Sequence, residues 1–451
     1  MQELQLVLAR LSSNGQNADV KAQTINHSTD MLTRASVHRE FESDSTDILL
    51  LQLLHALHVS TRAELEAITH LSPSTVSKVV RRLIDAGFAE EIGQIPSTGG
   101  RPSRQIRLRP QARFAIGAEF NIQRQRVVVT DLNGAIQRSY EADSPAVNAD
   151  RITDALIDLI EQALDDTGRE QVIGIGVAVP GVADTATGHM VVYSDLNLRD
   201  FPLGEKVQAR TGFSPRIYNR STSAAMGEKW QGDGRAAESL FYVALDAGIS
   251  GGLILRGQSY QGASPAIAEI GHATVDPDGP LCFCGNQGCL QMIASSGALA
   301  NRARELIKLG HTSNLSAQVE GHLELIDGVT VLQSANAGDE LSLRILAEAA
   351  DYVGIAVGNV INLFSPEMVV LGGGLVWSYP EPWVEMIRAS IQRRTLGLML
   401  QGTQIVVSQL RKDNRCIGAA ALAVRHWLMA QSPPHSLDIA EVIRRNRTKR
   451  I

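Results

Sequence analysis

The sequence predicts a two-lobed α/β body preceded by a small helical segment that carries a β wing. Three observations predict it. A succession of strand, hairpin, strand, long helix and strand begins at Phe114, and a similar start recurs at Leu240–Ala247 and Gly252–Gly257. Residues 45–110 instead read as three short amphipathic helices followed by two short strands. The chain of 451 residues also exceeds one ordinary hydrophobic core, and its 44% hydrophobic and 20% charged residues are ordinary for a folded protein.

Residues 1–44 are polar and weakly periodic, and read as a flexible arm. Ile48, Leu49, Leu51, Leu53, Leu54 and Leu57 then form an apolar helix. Thr61 followed by Glu64 is a capping box that starts a second helix. Ser72 caps a third, with Pro73 in its first turn, where a missing N–H is harmless. Val76, Val79, Val80, Leu83 and Ile84 give that helix a buried side. Its other side carries Ser74, Thr75, Ser77, Lys78 and Arg81, hydroxyls and cations suited to base edges and phosphates in a major groove. Gly87 ends the helix, and strands near Ala89–Ile92 and Gln105–Leu108 form the wing. Between them, Gly100-Arg101-Pro102 is narrow enough for a minor groove, where Arg101 meets the negative potential of A·T-rich DNA. The whole is a winged helix-turn-helix that binds double-stranded DNA; the alternative is a dimerisation or protein-contact module in which Gly-Arg-Pro is only a turn.

The body spans residues 111–430. Its first lobe reads as Phe114–Glu119, Arg126–Asp131, a turn at Asn133-Gly134, Ala135–Tyr140, a helix over Asp150–Asp166 and Val172–Val179. Its C-terminal part adds a helix over Glu340–Leu363, a strand at Met368–Leu371, Gly372–Gly374 and a helix around Ile417–Leu428. Two related lobes imply a cleft in which a small ligand is clamped. Residues 431–451 form a basic tail, read as solvated with a nucleic-acid contact as the alternative. A formal net charge of −6 argues against indiscriminate nucleic-acid binding and leaves room for a local basic face. No apolar run suffices for a membrane span and no leader pattern is present, so the expected location is the cytoplasm, with reduced thiols.

His272, Cys282, Cys284 and Cys289 follow an H-x9-C-x-C-x4-C spacing. Three thiolates and an imidazole complete a tetrahedral set for Zn2+ and leave no position for a catalytic water, so the ion would be structural. Buried free thiols or a disulfide are the alternative.

Glu269-Ile270-Gly271-His272, the cysteine run, and Asn362-Leu363-Phe364-Ser365-Pro366-Glu367 leading into Leu371-Gly372-Gly373-Gly374 resemble the ROK family of repressors and sugar kinases. The resemblance covers about residues 45–430 and implies an actin-like, sugar-kinase (ribonuclease H-like) body. The family's repressors carry the DNA-binding segment and its kinases lack it. The resemblance also implies that Asn219, Glu269, His272 and Gln291 meet sugar hydroxyls. Gln291 stands where the family usually has glutamate, and Ser264-Pro265 replaces a small, glycine-containing approach to Glu269.

The family's catalytic aspartate is replaced by Arg220, whose guanidinium cannot accept a proton at neutral pH. The first phosphate loop reads Glu119-Phe120-Asn121-Ile122-Gln123, without its glycines. The second, Asp246-Ala247-Gly248-Ile249-Ser250-Gly251-Gly252, gains an anion. Catalysis is therefore not expected. Arg220 beside the sugar position favours an anionic sugar, or else pairs with a neighbouring carboxylate. The expectation is a dimeric or tetrameric repressor of carbohydrate genes that binds an inverted repeat and is governed by a sugar or sugar phosphate. The alternatives are an activator, a residual sugar kinase and a regulator controlled by a protein partner.

Overall fold

The computed structural model describes residues 45–95, 103–145, 148–378 and 380–430. The expected arm, the basic tail and Arg101 lie outside the described residues. Helix α1 (Ser45–Leu57) is apolar nearly all round and buries Ile48, Leu50, Leu51, Leu53 and Leu54. A short strand β1 (Val59–Thr61) leads into α2 (Arg62–Thr69). The capping box at its start is formed: Glu64 N donates to Thr61 Oγ1 at 3.2 Å, and Thr61 N donates to Glu64 Oε2 at 2.9 Å. Ser72 accepts from Thr75 N at 3.2 Å to start α3 (Pro73–Asp85), and Gly87, with φ +77°, turns the chain away from its end. Strands β2 (Ala89–Ile95) and β3 (Ser103–Leu108) pair antiparallel, and β1 adds to β3 in the order β1-β3-β2.

The first lobe is built on β4 (Phe114–Glu119), β5 (Arg124–Asp131), β6 (Ile136–Asp143), α4 (Ala149–Thr167) and β7 (Val172–Val179). A small sheet of β8 (Val182–Asp184), β9 (His189–Tyr193) and β10 (Leu198–Phe201) follows, then α5 (Leu203–Thr211), β11 (Arg216–Asn219) and α6 (Arg220–Trp230). The second lobe holds β12 (Leu240–Leu245), β13 (Ile249–Leu255), β14 (Gln258–Ser259), α7 (Ser296–Lys308), α8 (Gly328–Asn336), α9 (Glu340–Phe364), β15 (Met368–Gly372), α10 (Pro380–Arg394) and β16 (Gln404–Val407). The chain then runs into α11 (Asn414–Ala430). The two five-stranded sheets have the same order, β11-β7-β4-β5-β6 and β14-β13-β12-β15-β16. In each, three antiparallel strands are extended by two parallel ones, so the lobes repeat one topology. This is the actin-like, ribonuclease H-like architecture.

Helix α11 begins three residues before the apolar run of the sequence suggests. Its polar first turn is held from outside, by Asn414 Nδ2 donating to Tyr242 Oη at 3.0 Å and to Glu228 Oε1 at 3.3 Å. It sits on glycine on two sides. A Cβ on Gly117 of β4 would stand 1.9 Å from Cys416 O, and one on Gly176 of β7 would stand 2.0 Å from Ala419 O. A Cβ on Gly227 of α6 would meet Asn414 O at 2.1 Å, and one on Gly418 would meet Ser223 O at 1.6 Å. The far end of α11 enters the core of the winged segment: Ala420, Val424 and Leu428 cluster with Leu50, Leu54, Val80 and Leu83. Gln52 Nε2 donates to Leu428 O at 2.7 Å across this seam. Among the described residues no helix is long and apolar enough to cross a membrane.

Gly418→Ala must push apart two helix backbones, and is expected to cost 3 kcal/mol or more, roughly the upper end of overpacking effects. Gly297→Ala in α7, where a new Cβ meets nothing within 4 Å, should be neutral or stabilise by about 0.5 kcal/mol. Urea unfolding of both variants beside the parent checks the contrast.

Candidate DNA face, metal cluster and interlobe cleft

The α3 face stands clear of the core. Ser74, Ser77, Lys78 and Arg81 are exposed and Thr75 is half-buried, while Val76, Val79, Val80 and Leu83 are buried beneath. Lys78 and Arg81 make no ion pair among the described residues. Their neighbour Arg82 turns the other way and pairs with the buried Asp47 of α1 at 2.5 Å. This pair, which the sequence reading does not foresee, fixes how α3 leans on α1. In the wing, Arg62 reaches Glu91 at 2.8 Å and Arg104 binds the same carboxylate. Hydrogen bonds from Arg104 and then Arg62 hold the Glu91 pKa below its usual value.

The four expected metal ligands converge. One ring nitrogen of His272 and the Sγ atoms of Cys282, Cys284 and Cys289 all lie within 4.8 Å of one another. Cys282 Sγ is 3.7 Å from His272 Nδ1, and Cys284 Sγ is 3.7 Å from Cys289 Sγ. Zn–S bonds of ~2.3 Å in a tetrahedron imply edges of roughly 3.8 Å, so the donor set fits such an ion. Backbone bridges Thr274↔Cys289 and Leu281↔Gln287 close the loop. Gly288 is required at φ +65°, because a Cβ there would stand 1.5 Å from Asp276 O.

Asn219 and Arg220 lie where β11 enters α6. The Asn219 side chain caps that helix, accepting from Ser221 N at 2.7 Å, and donates to Gly181 O at 2.7 Å. It lines a cavity of about 130 Å3 between the lobes, together with Arg220, Ser250, Glu269 and Arg415. The carboxylate of Glu269 has no hydrogen bond or ion pair among the described residues, and burial raises its pKa. An adjoining cavity of about 430 Å3 shares Asn219 and is bordered by Gln261–Pro265. His272 and Gln291 do not line the first cavity. Gln291 lies behind it, donating to Cys282 Sγ at 3.3 Å, with Oε1 3.9 Å from where a Cβ on Gly248 would stand.

Arg415 joins the lobes. Its Nη1 lies 2.7 Å from Glu119 Oε1 and its Nη2 3.0 Å from Asp246 Oδ2. Glu119 ends β4 and Asp246 follows β12, the equivalent strands of the two sheets. These carboxylates open the two segments that resemble phosphate loops, so one guanidinium ties both together. Arg220 Nη1 stays 3.8 Å from Glu119, a looser contact than that of Arg415. Sequence offered one signal for Arg415, a cation shortly before the small-residue run Gly418–Ala421.

Two repeated ribonuclease H-like lobes around a polar cleft, behind a winged helix, define a sugar-kinase-type body joined to a nucleic-acid-binding architecture. The ROK family model matches residues 116–426, and the chain belongs to the ROK family. It is 29% identical over 387 residues to the xylose repressor of Bacillus subtilis (strain 168), covering 84% of this chain and 95% of that protein. It is 27% identical over 381 residues to the DNA-binding transcriptional dual regulator NagC of Escherichia coli (strain K12), covering 84% and 92%. Among solved structures, a ROK family transcriptional regulator, a homologue of the E. coli MLC protein, matches with a TM-score of 0.73 at 23% identity over 88% of this chain and 100% of that one, a likeness of fold. A ROK family glucokinase from Streptomyces griseus in complex with glucose and AMPPNP matches with a TM-score of 0.59 at 27% identity, over 69% and 99%.

Arg415→Met leaves Glu119, 5% exposed, without its closest cation, and should cost about 3 kcal/mol in urea unfolding. Adding Glu119→Gln should return part of that loss, because the uncompensated charge is then gone.

Proposed function

We propose that the chain is a DNA-binding transcriptional repressor of carbohydrate genes, governed by a sugar or sugar phosphate bound in the interlobe cleft. The observation that carries this reading is the path from cleft to DNA face. Helix α11 places Arg415 in the cleft at one end and Val424 and Leu428 in the winged core at the other. A ligand that draws the lobes together changes the seat of this helix, and with it the attitude of α3. DNA is released to the extent that the ligand prefers the conformation that binds DNA poorly. A dimer or tetramer on an inverted repeat gives small rotations leverage, since two α3 helices must fit two half-sites at once. The relatives named as xylose repressor and NagC support the same reading.

In the cleft, Glu269 would accept hydroxyl protons through an otherwise unengaged carboxylate. Asn219 would offer what remains of its amide. Arg220 would face an anionic group, since its nearest carboxylate is held more closely by Arg415. The same two arginines argue against phosphoryl transfer. Arg220 cannot serve as general base, and the Glu119–Arg415–Asp246 bridge occupies the junction of the segments that resemble phosphate loops. His272 Nδ1 and the thiolates of Cys282, Cys284 and Cys289 would hold Zn2+, which supplies structural cross-linking and leaves no open coordination position. Gln291, hydrogen-bonded to the Cys282 sulfur, would carry the state of that loop to the back of the cleft.

Binding to DNA upstream of its own and neighbouring genes, followed by fluorescence anisotropy, tests the regulator reading. Lys78→Ala should weaken binding to all sequences alike and reduce the slope of log K against log[salt] by about one. Absence of sequence-specific, salt-sensitive binding under every condition would overturn it. In the same assay with a panel of sugars and sugar phosphates, Glu269→Gln should lose release while keeping DNA affinity, and Arg220→Ala should lose preference for the anionic members. Chelation of zinc, or Cys289→Ser, should blunt the sugar response as well as lower the unfolding temperature; an unchanged response would uncouple metal from sensing.

A further inference from the structure

The seam between the winged segment and the body is not closed along its whole length. Beside the Gln52–Leu428 hydrogen bond, a cavity of about 250 Å3 opens between α1, α6, the β13–β14 turn and the last turns of α11. This is room for about eight waters at ~30 Å3 each. The cavity is distinct from the interlobe cleft and shares no lining residue with it. Met226, Trp230 and Leu428 supply apolar wall, and the His55 ring lies 6.0 Å from the Trp230 ring, tilted by 59°.

Two polar groups in this wall lack partners. Arg425 makes no hydrogen bond or ion pair among the described residues, although burial, opposed by Tyr218, lowers its pKa. The Nε2 atom of His55 is buried without a partner. Burial is the main cause that brings the His55 pKa down to about 4, aided by His58, while the ring interacts with the Leu132 backbone. The ring is therefore neutral near pH 7, with one nitrogen engaged by that backbone and Nε2 left as a bare acceptor. The other cations are partly occupied: Lys229 Nζ donates to Arg235 O at 2.9 Å and to Ala237 O at 2.8 Å, and Arg235 Nε donates to Trp230 O at 3.0 Å. With Arg256 they make four cations against the one carboxylate of Glu238 in the cavity wall. An excess of cations around a recess walled by aromatic and apolar side chains favours a ligand with an apolar body and a negative charge.

We propose that this junction cavity is a second ligand site, which takes a small aromatic carboxylate. The ring packs against Trp230, and the carboxylate meets Arg425. Such a ligand touches α1 of the winged segment and α11 of the body together, and so acts on their seam without entering the cleft.

Calorimetric titration of the full chain with 4-hydroxyphenylacetate and 4-hydroxybenzoate tests this directly, whatever the DNA target. The expected result is saturable binding of at least one acid, with a change in tryptophan fluorescence, and at least about ten-fold weaker binding of neutral 4-hydroxyphenylacetamide. Arg425→Gln should lose about the same factor; if that variant does not fold, the comparison of acid with amide on the parent protein decides. Failure of both acids to bind, or equal binding of acid and amide, overturns the proposal. A matching loss of affinity in Glu269→Gln would put the ligand in the cleft and overturn it equally.

Discussion

The seating of the last helix on glycine is the constraint on which the rest of the molecule depends. Carbonyls of Asn414, Cys416 and Ala419 occupy the space that side chains on Gly227, Gly117 and Gly176 would fill, and Ser223 O does the same at Gly418. Backbones at this distance cannot slide past one another by a fraction of a residue, because close-packed interiors admit discrete arrangements and little continuous deformation. Helix α11 is thereby bound to β4 and β7 of the first lobe and to α6. Helix α6 is in turn bound to the second lobe, where a Cβ on Gly252 would stand 2.2 Å from Ser221 O. The winged segment joins the end of this assembly through Leu428 and Gln52.

Charge is arranged to the same end. Where equivalent strands β4 and β12 finish, Glu119 and Asp246 face one guanidinium, that of Arg415. A cleft that transfers phosphate needs its anion-binding loops empty and glycine-rich. The two segments that resemble such loops begin here with carboxylates paired to Arg415. The neighbouring Glu269 has no side-chain partner among the described residues, although it lines the same cavity.

Much of the fold was legible because its causes are local. A capping box at Thr61 and Glu64, a serine before Pro73 and a glycine at 87 act within one turn of chain, so they read correctly without neighbours. The metal cluster was legible because thiolates and imidazole have few other reasons to recur at such spacing. Short strands such as β11 and β16 were not, since four residues are too few to show a period of two. The start of α11 was missed because Asn414 and Arg415 look like loop residues until Tyr242, Glu228, Glu119 and Asp246 are seen around them.

Sequence by itself determined the inventory: a winged helix with a polar α3 face, two repeated α/β lobes, and a histidine with three cysteines. Each of these rests on residue type and short-range spacing. Tertiary structure alone decided that Arg82 points inward to Asp47 while Arg81 faces solvent, that Arg415 ties the lobes, and that Gln291 backs the metal cluster instead of lining the cleft. It also decided that a cavity with an unpaired Arg425 lies at the seam. The Arg82 and Arg415 pairs join residues 35 to 296 positions apart in the chain, whose encounter is set by the packing of helices and sheets and leaves no trace in any local window.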